Sequence, residues 1–153
     1  MRSGFFLLAG PNPKTSHYPM AKILSIETST DVCGVALLSG EHLVAETIIN
    51  RPRVHAERLT CAIKEVLDDG DLGIDQIDAL AVSKGPGSYT GLRIGVSTAK
   101  GLAFAHDLPI VGVPSLEVIA AEAAVCADPG DRICVVRDAR KNEVYCSIFE
   151  VVN

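Results

Sequence analysis

The sequence has no tryptophan, few other aromatic residues and no excess of positive charge. Aromatic residues make up 5% of the 153 residues, and 14 Lys and Arg stand against 19 Asp and Glu, which gives a formal net charge of −5. Proteins that bind nucleic acid on their own usually carry a basic patch or stripe. Direct binding to RNA or DNA is therefore not expected of this chain.

The sequence also lacks a CxxC pair and a long apolar run. Its five cysteines are Cys33, Cys61, Cys126, Cys134 and Cys146. An odd number without paired spacing predicts neither a disulfide framework nor a zinc ribbon, and we interpret these residues as reduced, mostly buried thiols of a cytoplasmic protein. No stretch reaches the roughly 18 apolar residues of a membrane helix, so no membrane association is predicted.

Apolar residues make up 48% of the chain, which is enough to form one substantial core. In residues 1–19 the apolar run is too short for a secretory signal, and we predict a disordered N-terminal extension. The pattern changes at Met20 to MAKILSIETS, which is typical of a strand. The folded part is therefore predicted to begin at Met20.

The order of the predicted elements indicates an α/β fold. Alternating runs rich in β-branched residues predict strands over 22–28, 33–39, 42–49, 78–83, 109–113, 132–138 and 143–151. Helical spacing of apolar residues predicts helices over 55–67, 89–106 and 115–126, the last with Ser115 as its cap. Three hairpin strands followed by helical crossovers predict a mixed sheet of ribonuclease-H-like type with flanking helices.

A glycine-rich segment, SKGPGSYTGLRIGVSTAKG, lies where the fourth strand meets the second helix. No glycine there is followed by Lys and then Ser or Thr, as a Walker loop requires, and Thr90 stands where the third glycine of a dinucleotide-binding loop belongs. Gly91 and Gly95 give one side of the helix no bulk, at a cost of about 1 kcal/mol each relative to Ala. Close packing is therefore expected, against a partner protein in the favoured interpretation or against the sheet beneath in the alternative.

Five segments together resemble one family. In chain order they are LSIETSTDVCGVAL, RVHAERL, SKGPGSYTGLRIGVSTAKGLA, IVGVPSLEVIA and DARKNEVY. They are similar to the TsaB (YeaZ) family, subunits of the bacterial machinery that makes threonylcarbamoyladenosine in transfer RNA. The resemblance implies the two-lobed actin-like (ASKHA) fold of sugar kinases, actin and Hsp70. It assigns residues 20–113 to the first lobe and residues 114–153 to a linking helix and the start of an incomplete second lobe.

The resemblance also implies that the chain is a noncatalytic adaptor. The expected partner is TsaD, the paralogous catalytic subunit, with a TsaE-like ATPase possible in a larger complex, a homodimer possible, and tRNA reached only indirectly. TsaD binds its metal through HxxxH, and alignment on the shared Leu-Glu puts Ser115 and Ile119 at those positions. Neither side chain replaces an imidazole as a ligand, so no metal and no catalytic residue are predicted, and a peptidase activity is argued against.

In the resembled family, the first two helices form the surface used for self-association and for pairing with TsaD. The residues expected at this surface are His55, Leu59, Gly91, Leu92, Arg93, Gly95 and Thr98. We expect His55 at the exposed start of the first helix. Arg93 is either a solvated residue or an interface anchor, since arginine is over-represented at binding hot spots.

The runner-up function is a nucleotide-binding phosphotransferase or ATPase of the sugar kinase and actin superfamily. Glu27, Thr28 and Ser29 occupy the position of its first phosphate loop, where Glu27 replaces an Asp and Ser29 a glycine. They are candidates for a vestigial nucleotide site, or for a strand end tied down by its own hydroxyl hydrogen bonds. No cofactor is predicted for the chain alone, and ATP or ADP is expected only at the interface of a complex.

Overall fold

The computed structural model describes residues 20–51 and 54–152, so the prediction for residues 1–19 lies outside the described residues. The strands are β1 (Lys22–Glu27), β2 (Val32–Ser39), β3 (His42–Asn50), β4 (Ala79–Gly85), β5 (Ile110–Pro114), β6 (Arg132–Arg140) and β7 (Glu143–Glu150). The helices are α1 (His55–Asp69), α2 (Tyr89–His106) and α3 (Ser115–Ala124). Every predicted element is present in the predicted order, and a short 3₁₀ helix, Ile74–Gln76, precedes β4.

The first five strands form one mixed sheet in the order β3-β2-β1-β4-β5. β1 pairs with β2 and β2 with β3 in antiparallel fashion, while β4 is parallel to β1 and β5 is parallel to β4. The helical crossovers therefore add parallel strands to an antiparallel hairpin unit, and the predicted mixed sheet is confirmed. β6 and β7 form a separate two-stranded antiparallel sheet.

The main core lies between the sheet and helices α1 and α2. Leu24 and Ile26 of β1 are fully buried and belong to the same cluster as Leu59 and Val66 of α1. Successive strand residues point to opposite faces, so the neighbouring Ile23 faces the other side, where it packs in the cluster that contains Val118 of α3. The five-stranded sheet thus has α1 and α2 on one face and α3 on the other.

Helix α3 connects the two sheets. Its residues Leu116 and Ala120 form a small cluster with Val135 of β6, against which Ile133 and Phe149 pack. The expected helix cap is corrected, because Pro114 precedes the first turn and Ser115 is its first helical residue. Among the described residues, no helix has the length and apolar character needed to cross a bilayer.

Candidate functional site

The turn after β1 lies against the beginning of α2. β1 and β4 are parallel neighbours, so both strands end at the same edge of the sheet, and three residues separate the end of β4 from the start of α2. The backbone N–H of Ser88 donates to the carbonyl oxygen of Ser29 at 2.7 Å. Ser88 also caps α2, because its hydroxyl accepts from the N–H of Gly91 at 3.3 Å.

The glycine side of α2 is packed inside the molecule. A Cβ atom at Gly91 would lie closer than 3.0 Å to the carbonyl oxygen of Thr28, and one at Gly95 equally close to the Thr28 hydroxyl. Gly91 and Gly95 are buried together with Ala99 and Ala103. The prediction that these two glycines form a partner surface is therefore corrected, and the alternative of close packing within the domain describes them.

Most polar groups of the β1–β2 turn are used within the protein. The N–H of Thr28 donates to the hydroxyl of Ser83 at 3.4 Å, and the N–H of Ser29 donates to the carboxylate of Glu27. Thr28 is fully buried, and its hydroxyl has no hydrogen-bond partner among the described residues. A phosphate bound at Glu27, Thr28 and Ser29 would have to displace these bonds, so the geometry favours a structural turn, and nucleotide binding there stays a prediction.

Arg137 links the second sheet to this turn. Its Nη1 donates to the Ser29 hydroxyl at 3.1 Å, and its Nη2 donates to the Ser29 carbonyl oxygen. Beside this contact, a cleft of about 350 Å³ lies between residues 87–90 and residues 138–140 and 145 of the hairpin. The sequence analysis did not single out Arg137, because nothing in the local sequence relates it to a serine 108 positions earlier.

The predictions for α1 are corrected as well. His55 is 6% exposed, and its Nε2 lies 3.3 Å from the carbonyl oxygen of Val32. Leu59 is 1% exposed and belongs to the main core. Both residues fall on the buried stripe of α1, which continues through Ile63 and Val66. The helical period that placed Leu59 in the core also places His55 there, four residues earlier.

The exposed side of α2 lies opposite Gly91 and Gly95. Leu92 and Thr98 are half-buried, whereas Arg93 is exposed. We define the α2 outer stripe as the exposed residues Tyr89, Arg93, Ser97, Lys100 and Phe104. Tyr89 is 74% and Phe104 93% exposed, and the guanidinium carbon of Arg93 lies 5.4 Å from the centre of the Tyr89 ring. Our sequence analysis missed Tyr89 and Phe104, although helical spacing places both opposite Gly91 and Gly95.

The cysteines also differ from expectation. Only Cys33 is buried, and burial, with the nearby negative charge of Glu27 as a second cause, raises its pKa. Cys61, Cys126, Cys134 and Cys146 are exposed. The prediction of mostly buried thiols is therefore wrong for four of the five cysteines.

The positions that the resemblance relates to a metal site do not fit a metal. Ser115 is 2% exposed, and its hydroxyl has no hydrogen-bond partner within the part of the chain that the structure describes, while Ile119 is 39% exposed and carries no donor atom. A first-row metal needs nitrogen, sulfur or carboxylate ligands in a convergent set. In residues 20–51 and 54–152, no three His, Cys, Asp or Glu side chains converge in a way that could hold an ion.

The sheet order, the helices on both of its faces and the second sheet reached through α3 define the class of protein as an α/β domain of the actin-like type. The chain matches the family model described as "TsaD: tRNA N6-adenosine threonylcarbamoyltransferase" over residues 42–153. The solved structure of YeaZ from Pseudomonas aeruginosa superposes with a TM-score of 0.77 at 35% identity, covering 86% of this chain and 61% of that one.

Two curated relatives narrow the assignment. The chain is 43% identical to the tRNA threonylcarbamoyladenosine biosynthesis protein TsaB of Haemophilus influenzae over 82% of this chain and 52% of that protein. It is 39% identical to the TsaB of Bacillus subtilis, over 86% of this chain and 56% of that protein. The chain belongs to the TsaB (YeaZ) branch of this family. It spans about half the length of these curated relatives.

Proposed function

We propose that this protein is a noncatalytic adaptor in the cytoplasmic synthesis of threonylcarbamoyladenosine in tRNA, and that it pairs with a TsaD-like protein. The observation that carries the proposal is the α2 outer stripe, which presents two large exposed aromatic side chains and an arginine on one side of a rigid helix. Aromatic residues and arginine are the usual anchors of protein interfaces. The names of the TsaB relatives supply the pathway.

The adaptor role is supported by the two residues that align with the metal-binding histidines of the catalytic paralogue. Ser115 and Ile119 offer one buried hydroxyl and one aliphatic chain where a metal enzyme of this family needs two imidazoles. The threonylcarbamoyl transfer onto adenosine would then be carried out by the partner. The net charge of −5 agrees with a subunit that reaches tRNA only through that partner.

A nucleotide would bind, in this proposal, only where a partner completes the site. The turn that corresponds to a phosphate loop gives its N–H groups to Ser83 and Glu27, and its Ser29 carbonyl already accepts from Arg137 and Ser88. ATP or ADP would thus be bound at the interface of a complex with the TsaD-like protein, which a TsaE-like ATPase could join. Self-association through the same α2 outer stripe would compete with this pairing.

The test is size-exclusion chromatography with light scattering on the full chain, alone and mixed with the TsaD-like protein from the same source. We expect a co-migrating complex, and we expect Phe104→Ala to weaken it because a residue 93% exposed in the free chain contributes to binding and not to the fold. Arg132→Glu, on an exposed position of β6, is the matched control and should leave the complex intact.

A cellular measurement completes the test. Depletion of this protein should lower threonylcarbamoyladenosine in total tRNA, as measured by nucleoside mass spectrometry, and Phe104→Ala should restore it less well than Arg132→Glu. Unchanged modification after depletion would contradict the proposed role, and a folded monomer that ignores the TsaD-like protein would contradict the proposed partner.

A further inference from the structure

The outer face of the β6–β7 hairpin carries a close pair of thiols. Side chains alternate along each strand, so Cys134 and Cys146 both lie on the face that points away from α3. The register pairs Cys134 with Ile148 and Val136 with Cys146, which makes the two cysteines diagonal neighbours across the strands. Their surroundings are apolar and exposed, since Val136 is 56% and Ile148 68% exposed.

The two sulfur atoms are already in contact. The Sγ atoms of Cys134 and Cys146 lie 3.6 Å apart, whereas a disulfide bond is about 2.04 Å long. Diagonal positions of an antiparallel pair are commonly about 7 Å apart at Cα, slightly beyond the span of most disulfides, so the strands must also approach a little. Among the described residues, β6 and β7 pair only with each other, and two-stranded ribbons adopt a larger twist than wide sheets, so such an approach disturbs no further strand there.

The remaining cysteines are placed differently. Cys33 is fully buried in the core of the five-stranded sheet. Cys61 is on α1, where its thiol lies 4.0 Å from the carbonyl oxygen of Glu57, and Cys126 follows α3. The geometry that favours an intrachain bond is thus a property of Cys134 and Cys146 and not of exposed thiols in general.

We propose that Cys134 and Cys146 form a reversible disulfide by exchange with a low-molecular-weight disulfide such as oxidised glutathione.

The exchange proceeds in two steps. One cysteine loses its proton to water, and its thiolate attacks the small disulfide, which gives a mixed disulfide and releases one small thiolate. The second cysteine then loses its proton, and its thiolate attacks the protein sulfur of the mixed disulfide. This step forms the Cys134–Cys146 bond and releases the second small thiolate, so the protein pair is oxidised and the small disulfide is reduced to two thiols.

The rate of this exchange should depend on pH. The hydrogen bond with Cys134 is the main cause that raises the pKa of Cys146 above its ordinary value. Because only the thiolate attacks, a raised pKa leaves less reactive sulfur at neutral pH, and bridge formation should accelerate as the pH rises. In a reducing compartment such a bond would be transient, which suits a modification site and not a permanent structural bridge.

The test uses the full chain with Cys61→Ser and Cys126→Ser, which removes the other exposed thiols. After incubation in glutathione redox buffers, free thiols are alkylated under denaturing conditions and the intact mass and peptides are determined. We expect both Cys134 and Cys146 to escape alkylation together and their peptides to be linked, while Cys33 stays alkylatable. The bridge should disappear when the share of reduced glutathione is raised.

A matched variant tests the intrachain step. With Cys134→Ser added, Cys146 has no second thiol to resolve its mixed disulfide, so a stable glutathione adduct on Cys146 should accumulate. Separate adducts on Cys134 and Cys146 in the parent chain, or disulfide-linked dimers in place of the intrachain bond, would overturn the proposal. Circular dichroism of each variant checks that the exposed Cys→Ser changes leave the fold intact.

Discussion

The two sides of α2 differ in what they contact: one packs inside the protein and the other is exposed. The inner side consists of glycine and alanine and lies so close to the β1–β2 turn that an added Cβ at Gly91 or Gly95 would collide with Thr28. The outer side carries Tyr89 and Phe104, both largely exposed, with Arg93 over the Tyr89 ring. Small residues at helical spacing therefore marked a close contact correctly, but the contact is with the protein's own turn, and the exposed side of the helix is the opposite one.

The largest effect is expected from a bulky residue on the inner side. Gly95→Leu places Cβ against the buried side chain of Thr28, which the neighbouring strand holds in place. Overpacking of this kind costs about 3 kcal/mol of the free energy of unfolding. Chemical denaturation measures it, with Gly101→Leu in the same helix as control because a Cβ at Gly101 has open space around it. Equal losses in the two variants would mean that the inner side is not specially packed.

On the outer side, the expected effect is on binding alone. Arg93→Glu reverses the charge of an exposed residue that lies over the ring of Tyr89. If Arg93 anchors the proposed complex, its affinity for the TsaD-like protein should fall about 30-fold, corresponding to roughly 2 kcal/mol. The free energy of unfolding should change by less than about 0.5 kcal/mol, as at most surface sites. Titration calorimetry separates the two effects, and a loss of stability without a loss of affinity would reverse the assignment of the two sides.

The hydrogen bonds between Arg137 and Ser29 should help to hold the β6–β7 hairpin against the turn that packs on the inner side of α2. Arg137→Ala removes both hydrogen bonds to Ser29 and should cost about 1.5 kcal/mol, because one partner is a charged group. Local opening of the β6–β7 hairpin should then become about tenfold more frequent, as measured by hydrogen exchange of its amides. Arg132→Ala on the same strand is the control, since its side chain is exposed. Unchanged protection in Arg137→Ala would show that α3 alone holds the hairpin.

Much of this fold could be predicted because it depends on local signals. Alternating β-branched runs and helical apolar stripes gave every strand and helix in order, and the hairpin-then-crossover order gave the mixed sheet. The error about the α2 glycines arose because a pattern shows which residues lie together but not what they face. Gly91 and Gly95 were assigned to a partner although they face Thr28.

The candidate site was less predictable because its contacts join distant parts of the chain. Arg137 and Ser29 meet only because α3 carries the second sheet back to the edge where β1 ends. Arg93, expected as either a solvated residue or an interface anchor, is exposed, but its neighbour Tyr89 was overlooked, although the helical period places it beside Arg93. His55 was misplaced for a simpler reason, since its polar side chain outweighed its position on the apolar stripe of α1.

The smallest expected effect has the opposite sign and comes from the third glycine of α2. Gly101 is exposed, and a Cβ there meets no atom of the described residues within 4 Å, so none of them compensates for its backbone freedom by a close contact. Gly101→Ala should therefore raise the free energy of unfolding by about 0.5 to 1 kcal/mol. Gly91→Ala, with the same chemical change ten residues earlier, should lower it, because the added methyl group meets the carbonyl oxygen of Thr28. If the free energy of unfolding rises in Gly101→Ala and falls in Gly91→Ala, the two positions lie on different sides of the helix. If both variants are stabilised, the packing described for Gly91 is contradicted.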